Sequence, residues 1–333
     1  MGREPPTPRS RILGTGRYIP KKVVTNEELP ASLGTSDAWL REHTGIERRH
    51  VVSEGETTSD LGAFAGRAAI EAAGLTPADL DMIIVATVSG DSPMPATAVH
   101  VQQKLGADLI PSFDLAASFA GFLYALTVAD QFISAGTYKT VLVVGADALS
   151  RHVDPNDRVT APLFGDGAGA VVLGPATGDG SGILSSRIHA DGALASLLEL
   201  PGGGSAEPLS AESIAKGRQY LRMKGPELFQ VTVKHLTSYS MQALKAAGLT
   251  SAELDWVVPQ QANRNIVDKI SQRLGFSRSK FIENVAEYGN TSSASIPIAL
   301  DEGVRDGRIK KGQTVLLCAL GAGLAWGASM VRM

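Results

Sequence analysis

Short, wholly apolar runs punctuate the chain: Met82–Ala86, Val141–Val144, Ala170–Leu173, Trp256–Val258 and Val315–Leu317. Unbroken apolarity over a few residues, without a polar alternate, marks a strand buried on both faces. Helical stretches lie between them. Thr58, Ser59 and Asp60 can cap a helix that runs to Ala73, with Gly74 as its C-cap. A second runs from about Ala120 to Ala135. A third has Pro226 in its first turn, ends at Ala247 and stops at Gly248. Buried strands alternating with helices predict an α/β fold with parallel sheet covered on both faces.

The pattern repeats. Ala72-Ala-Gly-Leu-Thr-Pro-Ala-Asp-Leu-Asp81 returns as Ala246-Ala-Gly-Leu-Thr-Ser-Ala-Glu-Leu-Asp255, with eight of ten positions identical and a spacing of 174 residues. Thr140-Val-Leu-Val-Val144 returns as Thr314-Val-Leu-Leu-Cys318 at the same spacing. Two matches at one offset predict two structural halves. We expect these at residues 10–176 and 177–333, after a Pro- and Arg-rich loose tail over 1–9. The segment 177–225 is richer in Gly, Ser and Pro, contains the expected loop Pro201–Gly204, and holds the join.

Composition narrows the function. Apolar residues are 44% and charged residues 20% of the 333, and the net charge is −3. That balance gives no field suited to nucleic acid. No apolar run reaches the length of a membrane span, and the start lacks a signal-peptide core. Cys318 is the single cysteine, so no internal disulfide can form, and a cytoplasmic setting is the default expectation. His43, His100 and His152 lack metal-ligand spacing, so no metal site is expected. Gly165-Asp-Gly-Ala-Gly169 lacks the strand–GxGxxG–helix context of a phosphate loop and reads as a turn entering a strand.

A set of motifs remains, in fixed order. Thr35-Ser-Asp-Ala-Trp39 precedes Thr44-Gly-Ile46. Phe113-Asp-Leu-Ala-Ala-Ser-Phe-Ala-Gly-Phe122 runs from a strand end into a small-residue turn and a helix. Asp154-Pro-Asn-Asp-Arg158, Phe164–Gly169, Pro259-Gln-Gln-Ala-Asn263, Gly289–Ser295 and Gly321-Ala-Gly-Leu-Ala-Trp326 follow. Across nearly the whole chain this resembles the β-ketoacyl-acyl-carrier-protein synthase III family of the thiolase superfamily. The resemblance implies a duplicated thiolase-like fold of five αβαβα layers, a homodimer, and acyl-CoA and acyl-carrier protein as substrates. It implies no cofactor beyond the coenzyme A thioester itself.

The resemblance also locates a Cys-His-Asn triad, and here two members are replaced. The cysteine position falls on Phe119, which has no nucleophilic atom and whose ring occupies space an acyl thioester normally needs. The histidine position is Gln260, whose amide can donate a hydrogen bond but cannot shuttle protons near neutrality. Asn290 keeps the third place. Ser118 is the neighbouring candidate nucleophile, or else a helix cap or small turn residue. Cys318, in an apolar strand, reads as an inert core thiol. On the ligand side, Trp39 and Arg158 match a family pair that stacks around adenine, or else are a core tryptophan and a surface arginine. His43 stands where the family has a second arginine. Met94 aligns with a residue inserted into the neighbouring subunit's acyl pocket. Phe229, Asn263, Gly321 and Ala322 fall at further substrate-site positions. Gln230 and Asn265 replace cations expected for carrier docking.

Three readings follow: a catalytically reduced, acyl-thioester-binding member, alone or paired with an active homologue; a working enzyme with altered chemistry through Ser118; or an active synthase carrying substitutions introduced at its site.

Overall fold

The computed structural model describes residues 9–333. Of the expected tail, residues 1–8 lie outside the described residues. Two sheets organise the rest. The first joins Ser10–Tyr18, Gly167–Pro175, Val141–Asp147, Met82–Ala86 and Ser112–Leu115, in that spatial order. The second joins Trp256–Pro259, Thr314–Gly321, Ala325–Arg332 and Gly182–Ala190.

Strand periodicity explains the layering. Met82, Ile84, Val141 and Val143 face one apolar cluster together with Val315 and Leu317 of the second sheet. Phe122 and Leu126 of helix Gly121–Ser134, and Ile296 and Leu300 of helix Ser295–Arg305, fill the same cluster. These two helices therefore lie between the sheets. The alternate residues Ile83, Val85, Leu142 and Val144 meet Leu61 and Val101 of helices Thr58–Ala72 and Thr97–Leu105. Val257, Leu316 and Cys318 meet Leu236 and Val267 of helices Gly225–Ala246 and Arg264–Leu274. Five layers, αβαβα, result.

The repeat survives at the level of single hydrogen bonds. Met82 pairs with Val141 in parallel, and Trp256, 174 residues later, pairs with Val315. Thr140 N donates to Asp81 Oδ2 at 2.9 Å, and Thr314 N donates to Asp255 Oδ2 at 2.7 Å. Ser118 and Ser292, the same distance apart, are both left-handed, with φ of 49° and 56°. The second sheet lacks a full counterpart of Ser112–Leu115; one bridge, Val257 to Phe281, stands in its place.

The helix ends correct the sequence reading slightly. Thr57 is the N-cap of Thr58–Ala72, in a capping box with Asp60, and Ala73 is the C-cap, followed by left-handed Gly74. Helices Gly121–Ser134 and Gly225–Ala246 each begin and end within a residue or so of the expected positions.

Candidate active site

Three chain segments meet at the bottom of one cavity of about 340 Å³. The first is the turn Ser118–Ala120, squeezed between strand ends. A Cβ on Gly321 would come within 2.5 Å of Phe119 N, and one on Gly121 within 3.1 Å of the Ala86 side chain. That crowding holds the turn in place and leaves Ser118 at φ 49°. A left-handed non-glycine residue costs about 1–2 kcal/mol, which the surrounding packing offsets.

The second segment follows strand Trp256–Pro259. Gln260 N donates to Cys318 O at 2.8 Å, carrying the sheet register one residue further. The fully buried Gln261 side chain fixes that end: its Nε2 donates to Pro259 O and Ile282 O, and its Oε1 accepts from Asn284 N. The third segment holds Asn290, whose N donates to Leu163 O at 2.8 Å and whose carbonyl accepts from Gly165 N at 3.1 Å. Asp147 steadies the following turn, accepting from Ser293 Oγ at 2.7 Å and from Ser293 N. Its other oxygen collects Thr87, Val88 and Ser89, so one buried carboxylate ties the Asn290 segment to the loop leading to Met94.

Phe119, Gln260 and Asn290 all line the cavity. Gln260 Nε2 donates to Asn290 Oδ1 at 2.9 Å, and that oxygen also accepts from Ser292 N. The remaining amide N–H groups of both residues are free to meet a carbonyl oxygen. Phe119 packs its ring 5.9 Å from that of Phe164. His43, Phe229 and Asn263 line the same space, and among the described lining residues His43 is the one ionisable side chain. Its Nδ1 sits 2.9 Å from Trp39 O, which leaves Nε2 as the acceptor of the neutral ring. Among the described lining residues there is therefore no thiol, and the one basic group is the His43 imidazole.

The other sequence candidates lie outside this lining. Arg158 Cζ is 5.1 Å above the Trp39 ring, and His43 stacks on Trp39 with centroids 4.3 Å apart. Met94 is 85% exposed and is not among the residues that line the cavity. Gly321 backs the Phe119 main chain rather than touching ligand space, and Ala322 packs at the edge of the outer cluster. Ser118 is buried, forms no side-chain cap, and among the described residues has no histidine or carboxylate bonded to its hydroxyl. The helix-cap reading of Ser118 is thus corrected: the turn around it is held by packing. Cys318 points to the outer cluster, where burial pushes its thiol up to about 12. Walls that no motif announced include Leu163, Met223, Leu228 and Ile266. Their apolar character is ordinary, and only the tertiary fold brings them together.

The model for the 3-oxoacyl-[acyl-carrier-protein] synthase III C terminal matches residues 244–333, and that for 3-oxoacyl-[acyl-carrier-protein] synthase III matches residues 113–192. The chain is 47% identical over 329 residues to a β-ketoacyl-[acyl-carrier-protein] synthase III of Paramagnetospirillum magneticum, covering 98% of this chain and 99% of the relative. Identity is 49% over 323 residues to the protein so named in Methylococcus capsulatus, with 97% and 98% covered. The crystal structure of 3-oxoacyl-[acyl-carrier-protein] synthase III from Aquifex aeolicus superposes with a TM-score of 0.90 at 41% identity, over 97% of this chain and 100% of that one. The priming β-ketosynthase of the R1128 polyketide pathway superposes with a TM-score of 0.90 at 33% identity, over 99% and 98%. With the five layers and the order of its motifs, this places the chain in the β-ketoacyl-acyl-carrier-protein synthase III family, within the thiolase superfamily.

Proposed function

We propose that the chain binds acyl thioesters without covalent capture and does not carry out condensation alone. The observation that carries this is the cavity floor, where Phe119 and Gln260 stand beside Asn290 and no thiol among the described lining residues replaces the missing one. Condensation needs a covalent acyl holder and a group that stabilises the enolate formed on decarboxylation. Phe119 removes the first. The free N–H groups of Gln260 and Asn290 still suit a thioester carbonyl, so binding and some polarisation of that carbonyl persist. Trp39 and Arg158 suit the adenine of coenzyme A. An acyl-carrier protein is the second source of the thioester, with docking weakened by Gln230 and Asn265. The assembly in this reading is a homodimer or a pair with an active homologue, the exposed Met94 reaching the neighbour's pocket. The setting is cytoplasmic fatty-acid or polyketide synthesis; among the described residues no helix is long and apolar enough to cross a membrane.

The test is intact-mass measurement after incubation with acyl-CoA, followed by assay with malonyl-carrier protein. The unmodified chain should gain no acyl mass and form no β-ketoacyl product. Phe119→Cys should acylate slowly, and Phe119→Cys with Gln260→His should yield product. Turnover by the unmodified chain, abolished in Ser118→Ala, would overturn the proposal and establish a serine enzyme.

A further inference from the structure

Phe119 does more than omit a thiol, and we infer that its ring is a chain-length stop: the site admits a free thiol or a two-carbon acyl group and rejects longer ones. The inference rests on the acyl-thioester reading above. Phe119 shares the cavity floor with the two amides that would hold the thioester carbonyl. In this inference an acyl chain leaving that carbonyl runs against the ring. The ring has little freedom to retreat. Its main chain is pinned by Gly321, where even a Cβ would come within 2.5 Å of Phe119 N. Its side chain is 5% exposed and meets Phe164, in a buried cluster that includes Leu149, Leu198 and Leu221.

Behind the stop the surroundings are apolar, which is what an acyl tail would need. Truncating Phe119 to alanine removes six ring carbons from a packed region. A cavity made this way holds a comparable number of ligand atoms, as benzene in a cavity of about 150 Å³ illustrates. Each methylene buried there should raise affinity about fourfold. The discrimination against long acyl groups is therefore a property of one side chain, separable from the amides and from the adenine stack.

The experiment is calorimetric titration of the full chain with coenzyme A, acetyl-CoA and hexanoyl-CoA, repeated for Phe119→Ala and Phe119→Leu, with thermal denaturation as the folding check. In the unmodified chain hexanoyl-CoA should bind at least about tenfold more weakly than acetyl-CoA. Phe119→Ala should tighten hexanoyl-CoA at least about tenfold relative to coenzyme A. If the alanine variant does not fold, Phe119→Leu carries the test, with a smaller gain that is still selective for hexanoyl-CoA. Equal binding of acetyl- and hexanoyl-CoA by the unmodified chain, or an unchanged ratio in the folded variants, overturns the stop while the thioester reading stands. Absence of coenzyme A and acyl-CoA binding throughout overturns both.

Discussion

A thiol at position 119 would lie at the start of helix Gly121–Ser134, where unpaired N–H groups favour an anion; a phenyl ring there gains only contact. The identities of Phe119, Gln260 and Asn290 were readable because each sits inside a motif whose neighbours are unmistakable. The left-handed backbone of Ser118 was not, since serine carries no mark of it in the way glycine does. Nor was the part played by Gln261, whose side chain ties Pro259, Ile282 and Asn284 together only once those segments are adjacent. The stack of Arg158 on Trp39 gives a prediction at this scale. Arg158→Ala should weaken coenzyme A about two- to fivefold, the worth of an exposed cation–π contact. Binding of an acyl-pantetheine, which lacks the adenine, should not change. Paired titrations with the two ligands check this, and an equal loss for both would detach Arg158 from the nucleotide.

Among the elements, legibility followed burial. Met82–Ala86 and Thr314–Gly321 are buried at every position, and their apolar cores stood out. At the sheet edges, Ser10–Tyr18 mixes half-buried with buried positions and Gly182–Ala190 mixes exposed with buried ones, and no run of apolar residues announced them. The cap of the first long helix fell on Thr57 because its hydroxyl and Asp60 satisfy each other's backbone donors, a reciprocity that Thr58 and Ser59 lack. Strand Thr314–Gly321 also carries a demand for glycine. Gly321→Ala would drive a methyl into the Phe119 main chain, an immovable neighbour, and should destabilise the fold by about 1–3 kcal/mol. Gly204→Ala, with open space around it, should be nearly silent. Urea denaturation of the two variants gives the comparison.

At the scale of the whole molecule, stability should fall as the solution is acidified toward pH 5, partly through His152. Burial holds this imidazole below its ordinary value of 6.5. The unfolded chain then takes up a proton near 6.5 before the folded chain does. By linkage, the contribution is complete above that pH and is lost as pH falls from 6.5 toward the lower folded value. His152→Gln should give a shallower slope of unfolding free energy between about pH 7 and pH 5. Denaturation at a series of pH values would show it, and an unaltered slope would assign the acid sensitivity elsewhere. The duplicated architecture was legible at this scale because both halves kept the same ten-residue segment. The loss of one strand from the second sheet was not, because a single bridge leaves no pattern in the residues that make it.

The two sheets also share an order of completion. Ser10–Tyr18 pairs with Gly167–Pro175, so the first sheet gains its edge only when the last of its strands has been made. In the second, Ala325–Arg332 lies between Thr314–Gly321 and Gly182–Ala190 and, among the described residues, is the one strand that joins them. On a ribosome the first half can close while the second is still being synthesised, but the second must wait for Ala325–Arg332. Synthesis halted before Ala325 would yield a finished first sheet attached to the three other strands of the second, with nothing joining Thr314–Gly321 to Gly182–Ala190, a product for quality control to destroy rather than a weakened protein.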